Sequence, residues 1–105
     1  MTHNPLTAAL PPSHPGGILR RVVLPSLDIS KSDLARRLRI SRQTLHGILA
    51  EKAPMTIPVA LRLGKVCGNG PELWLNLQQA HDLAAAEREM AEELASIVTL
   101  QTIAA

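Results

Sequence analysis

The sequence predicts an all-α protein, one domain of five helices with the last extended, and three observations support this. A chain of 105 residues fits a single core. Seventeen leucines and fourteen alanines dominate the 46% apolar content, against five valines and seven isoleucines, so helix formers outweigh β-branched residues. Apolar residues also recur at helical spacing between cap-like residues. Trp74 is the only aromatic, so the core must be aliphatic, and the lone Cys67 excludes a disulfide scaffold and points to a reducing compartment.

Residues 1–13 hold Pro5, Pro11 and Pro12 without periodicity and are expected to form a flexible arm. Pro15 can open a first helix that buries Ile18, Leu19, Val22 and Val23 and stops before Pro25. Ser30 with Asp33 makes a capping-box variant for a helix over 31–38, with Leu34, Ala35 and Leu38 on one face. Ser41 can cap a third helix through Leu49, its inward set being Leu45, Ile48 and Leu49. After a loop containing Pro54, Thr56 can cap a fourth helix carrying Ile57, Ala60, Leu61, Leu63 and Val66, which Gly68 stops. Gly70-Pro71-Glu72 starts the fifth, with proline first and an acid in the first turn. Its stripe begins at Leu73, Trp74 and Leu77 and can extend through Leu83, Ala86, Met90, Leu94 and Ile97. Such a tail needs a partner to cover it, and a second copy of the chain is the simplest. The organisation read from the sequence is thus an arm at 1–13, a domain at 14–83 and a helical extension for dimerisation at 84–105.

The net charge of +2 conceals a division. Residues 1–65 hold ten Lys/Arg against Asp28, Asp33 and Glu51, whereas residues 66–105 hold Arg88 against six acids. A basic part suits a polyanion and an acidic helical part suits a protein partner or self-association. Neither a basic leader nor 18 consecutive apolar residues is visible, so a cytoplasmic location without membrane contact is expected.

Residues 30–49, SKSDLARRLRISRQTLHGIL, place two capped helices about a tight turn at the spacing of a helix-turn-helix. Ala35 is small where the helices cross, Ile40 plugs the turn, and Leu45 with Ile48 anchors the second helix from beneath. That leaves Arg42, Gln43 and His46 on an outward first turn. Arginine can bond guanine O6 and N7 in pairs, and glutamine adenine N6 and N7. Ser30, Lys31, Ser41, Thr44 and Lys52 fall where hydroxyls, ammonium groups and helix amides meet phosphates. Arg39 occupies the turn position where glycine is common, at a cost on the order of 1 kcal/mol for a left-handed residue. Gly47 weakens its helix by about 1 kcal/mol relative to alanine; either close approach to a groove or plain tolerance accounts for it.

Catalysis is not expected. His3, His14, His46, His81 and Cys67 match no metal-ligand spacing such as CxxC or HExxH, and Cys67 beside Val66 reads as an apolar filler. Trp74, at helical spacing from Leu73 and Leu77, reads as core before ligand stacking. No cofactor or metal is implied.

The chain resembles the HigA-type antitoxins of bacterial toxin-antitoxin modules, within the larger Xre/Cro-like helix-turn-helix group. The likeness rests on His14-Pro15-Gly16 with Ile18-Leu19, residues 30–49, Ala60-Leu61-Arg62-Leu63 with Gly68, and the stretch from Pro71 to Gln78. The resemblance implies a five-helix Cro/phage-repressor-like domain that dimerises largely through its C-terminal helix. It also implies binding to a palindromic operator, repression of its own operon and neutralisation of a RelE-like ribonuclease toxin. The family's base-reading positions fall on Arg42, Gln43 and His46, with Gly47 in place of a further side chain. The expected dimer residues are Leu73, Trp74, Leu77, Leu83, Met90, Leu94 and Ile97. Two other readings stay open: a solitary regulator without a toxin, and a protein-interaction adaptor that does not bind DNA.

Overall fold

The structure, a computed structural model, describes residues 12–100. Of the expected N-terminal arm, residues 1–11 lie outside the described residues, as do residues 101–105 of the C-terminal extension. Among the described residues the chain is all-helical, with six helices.

Helix α1 covers 15–27 as an α-turn Pro15–Ile18, a π-turn Leu19–Val23 and an α-turn Leu24–Leu27. His14 caps it, its Nδ1 accepting the Gly16 N–H at 2.9 Å. The expected stop before Pro25 does not occur, and the π-turn explains why. A proline lacks an N–H and crowds the carbonyl four residues back. Here Leu24 N–H reaches Leu19 O, five residues back, so the register is already widened when the ring arrives. The helix ends instead at Asp28, in the left-handed region at φ 55°. Val22, expected inside, is 60% exposed.

Helices α2 (Lys31–Leu38) and α3 (Arg42–Leu49) form as the sequence predicts, each behind a serine cap. Asp33 N–H donates to Ser30 Oγ at 3.0 Å and Thr44 N–H to Ser41 Oγ at 2.9 Å. Arg39 closes α2 at φ 57°, so the turn takes the left-handed conformation without glycine. Leu34, Ala35, Leu38, Leu45, Ile48 and Leu49 are all buried, and Ile40 packs against this core. α1 lies directly on α3: a Cβ on Gly16 would stand 1.8 Å from the Ile48 carbonyl oxygen, so only glycine allows this approach.

Thr56 caps α4 (Ile57–Cys67), which Gly68 ends at φ 77°. Its phase differs from the expected one. Val59, Ala60, Leu63 and Gly64 face inward, whereas Ile57, Leu61 and Val66 are 62%, 54% and 37% exposed. Gly64 fixes this phase, since a Cβ there would lie 2.3 Å from the Gly70 carbonyl carbon, where the chain turns into the next helix. Helix α5 (Glu72–Glu89) starts with Pro71 at the cap position and crosses the expected boundary at 83 without a break. A short α6 (Ala91–Ser96) follows, so the single long tail is interrupted at Met90. Glu89 stands three and four residues before Glu92 and Glu93, a like-charge spacing that weakens a continuous helix.

The stripe expected along α5 splits into two faces. Trp74 is fully buried, with no partner for its indole N–H among the described residues, and Leu77 packs against the core beside it. At about 100° per residue, Leu83 and Met90 fall on the opposite side, 57% and 40% exposed. Trp74 therefore has no surface to offer a second copy, contrary to its expected place in a dimer interface. Leu73, Leu94 and Ile97 are exposed.

Candidate nucleic-acid interface

The outward face of α3 is fixed from beneath. Leu45, Ile48 and Leu49 are each at most 2% exposed, which leaves Arg42, Gln43 and His46 projecting from the first turns on the solvent side. Beside them, the start of α2 closes a cleft of about 510 Å³ lined by Ser30, Lys31, Ser32, Arg42, Gln43 and His46. The helix-turn-helix thus brings two helix N-termini, with their partial positive charge, and two cations to one surface.

Polar bookkeeping separates the residues of this surface. Arg36 and Arg37 share the Asp33 carboxylate, Arg37 Nε at 3.3 Å, and these guanidinium groups, Arg36 first, hold Asp33 below the usual carboxylate range. Arg20 and Arg21 meet Glu51 at 3.3 and 4.0 Å. Among the described residues, Lys31, Arg42 and Lys52 form no ion pair, and all three are exposed. Ser41 Oγ accepts from Thr44 N–H and donates to Thr44 Oγ1 at 2.7 Å, so its hydrogen is engaged inside the cap. Ser30 and Thr44 keep a hydroxyl hydrogen to donate outward. Lys52 sits in the loop after α3, apart from the cleft, its backbone N–H bonded to Gly47 O at 2.9 Å. A Cβ on Gly47 would just touch that of Ala53 at 3.4 Å, so this glycine faces the loop and has room for a methyl group.

Two supports of the surface escape a reading of the sequence. The Arg20 guanidinium donates to the Leu49 carbonyl and pairs with Glu51, clamping the end of α3 to α1. Gln78, buried on α5, accepts the Met55 N–H at 2.6 Å and donates to Asp82 at 2.9 Å, fixing the loop that carries Lys52. A polar residue four positions from Trp74, on its buried face, is the signal that marks it. His14 meets His81 edge-on, ring centroids 5.0 Å apart at 78°. Burial, then the neighbouring His81, push His14 below the ordinary histidine value, against the opposing pull of Glu51 and Asp82. Burial likewise raises the Cys67 thiol, which packs against the core. Among the described residues no group of three or more His, Cys, Asp or Glu is placed to hold a metal, and no helix is long and apolar enough to cross a membrane.

No family model matches the chain. It is 36% identical over 89% of its length to "Virulence-associated protein I" of Dichelobacter nodosus, covering 85% of that protein. It is 33% identical to "Antitoxin HigA-1" of Vibrio cholerae, over 74% of this chain and 73% of that one. Among solved structures it is similar to a Pseudomonas aeruginosa antitoxin HigA with the higBA promoter, with a TM-score of 0.80 and 35% identity. That match covers 86% of this chain and 99% of the other.

Proposed function

We propose, because this chain belongs to the HigA-type family of helix-turn-helix antitoxins, that it binds operator DNA as a dimer, represses its own operon and neutralises a RelE-like ribonuclease toxin. The observation that carries the DNA reading is the outward first turn of α3, where Arg42, without an ion-pair partner among the described residues, stands with Gln43 and His46 over a buried aliphatic base. Inserted in a major groove, Arg42 can bond one guanine through O6 and N7 and Gln43 one adenine through N6 and N7. Ser30, Lys31, Thr44 and Lys52, with the amides that Ser41 orients, hold the backbone phosphates and set the register. Two copies related by a two-fold axis place their α3 helices about 34 Å apart, one turn of DNA. The Leu83 and Met90 face of α5, with Leu73, Leu94 and Ile97, supplies apolar surface for that pairing.

A gel-shift titration on the DNA upstream of the chain's own gene tests this reading. Arg42→Ala with Gln43→Ala should abolish specific binding and spare weak non-specific binding; unchanged specific affinity would reject the assignment. Co-expression with the product of an adjacent small gene tests the antitoxin role. Growth arrest by that product, relieved by this chain, supports it, whereas a harmless neighbour leaves the solitary regulator.

A further inference from the structure

The exposed side of α4 is both apolar and basic. Leu61 and Val66 line a cleft of about 430 Å³ with Arg37, Arg39, Arg62 and Lys65. Ile57 continues the apolar row one turn earlier. Among the described residues Arg39, Arg62 and Lys65 have no ion-pair partner. This cleft shares no residue with the one between α2 and α3. The C-terminal segment has the opposite character. Glu87, Glu89, Glu92 and Glu93 are exposed and likewise unpaired among the described residues, and Leu94, Ile97 and Val98 are 45%, 62% and 76% exposed.

Among the described residues the chain therefore carries an exposed cationic apolar face and an exposed anionic apolar segment that do not pair with each other. Arg62, Lys65 and Val66 lie in the last two turns of α4. α5 starts where α4 ends and, over 18 residues, carries α6 about 27 Å away from that end as a continuous helix.

We propose that the α4 face receives the acidic segment 87–98 of a second copy, Glu92 and Glu93 against Arg62 and Lys65 and Leu94 and Ile97 against Leu61 and Val66. The inference deepens the dimer reading above and rests on it. In a two-fold dimer the contact occurs twice, each tail embracing the other copy, and the charge division along the sequence becomes the basis of pairing.

Sedimentation equilibrium of the full chain, without DNA, tests the proposal with two charge-reversed variants, Arg62→Glu/Lys65→Glu and Glu92→Lys/Glu93→Lys. All four positions are exposed, and circular dichroism confirms the fold of each variant. Each variant alone should dimerise about tenfold or more weakly than the wild type, because like charges then face each other. An equimolar mixture should recover near wild-type association, since each reversed face then meets a reversed tail, and so should the fourfold variant. A dimer indifferent to every reversal, or a mixture that does not recover, overturns the docking while leaving two-fold assembly through α5 intact. A wild-type monomer at micromolar concentration overturns both. If reversal at Arg62 and Lys65 spares assembly but weakens binding to duplexes of any sequence, the face is a phosphate contact and the proposal falls.

Discussion

Replacing Gln78 by leucine tests whether one side chain secures the loop that follows the recognition helix. Gln78 is 8% exposed and Met55 2%, and the amide oxygen accepts the Met55 N–H at 2.6 Å. Leucine is somewhat larger than glutamine, so no cavity opens, and the main change is in hydrogen bonding. The Met55 N–H is left buried without an acceptor, a cost of about 1–3 kcal/mol. The second bond, to Asp82, ends at an exposed carboxylate that water can serve, and adds little. A loss of about 2 kcal/mol lowers the melting temperature of a domain this size by roughly 8–16 °C. The assay is urea unfolding followed by circular dichroism at fixed protomer concentration, because association also stabilises. Gln78→Glu is the companion variant: it keeps an acceptor for Met55 but sets a carboxylate against Asp82. Adding Asp82→Asn to it should restore most of the stability. If Gln78→Leu unfolds at the wild-type urea midpoint, the loop does not depend on this bond.

Three further outcomes follow from the same geometry. Gly16→Ala drives a methyl group into the Ile48 carbonyl and should destabilise the fold by at least about 1–3 kcal/mol, read as a lower urea midpoint, because α1 must lift from α3. His14 binds a proton less readily in the fold than in the unfolded chain, whose histidine titrates near 6.5, so its contribution is complete above pH 6.5 and is lost as pH falls through its lowered folded value. Melting temperature should thus drop on going from pH 7.5 to 5.5, and His14→Asn, which retains a capping acceptor, should flatten that drop; equal slopes would acquit His14. Lys31→Ala and Lys52→Ala should each reduce the slope of log affinity against log salt by about 1 for any duplex, without altering sequence preference.

The helix-turn-helix was legible because its signals are local: Ser30 and Ser41 each cap through an amide three residues on, and Ala35, Leu45 and Ile48 follow the period. The passage of α1 through Pro25 was not, because a π-register depends on which carbonyl Leu24 selects, and composition does not reveal that. For α4 the period was visible but the phase was not. Ile57 and Leu61, one turn apart, look as good an inward pair as Val59 and Leu63 until Gly64 meets the backbone at Gly70. On α5 one list of apolar residues concealed two faces, with Trp74 inside and Leu83 and Met90 outside. The exposure of Arg42, Gln43 and His46 could be read from their place after a cap, whereas the supports of that surface could not. Arg20 reaches Leu49 across 29 residues and Gln78 reaches Met55 across 23, and no spacing rule spans such separations.

The most direct test is the base-pair preference of Arg42→Ala, measured by fluorescence anisotropy on operator duplexes carrying every single base-pair change in one half-site. Wild-type protein should discriminate at the contacted guanine by about 1–3 kcal/mol, roughly 5- to 150-fold. The variant should lose that preference at one position per half-site and keep the others. A variant that discriminates at every position as the wild type does would show that α3 does not read DNA through this residue.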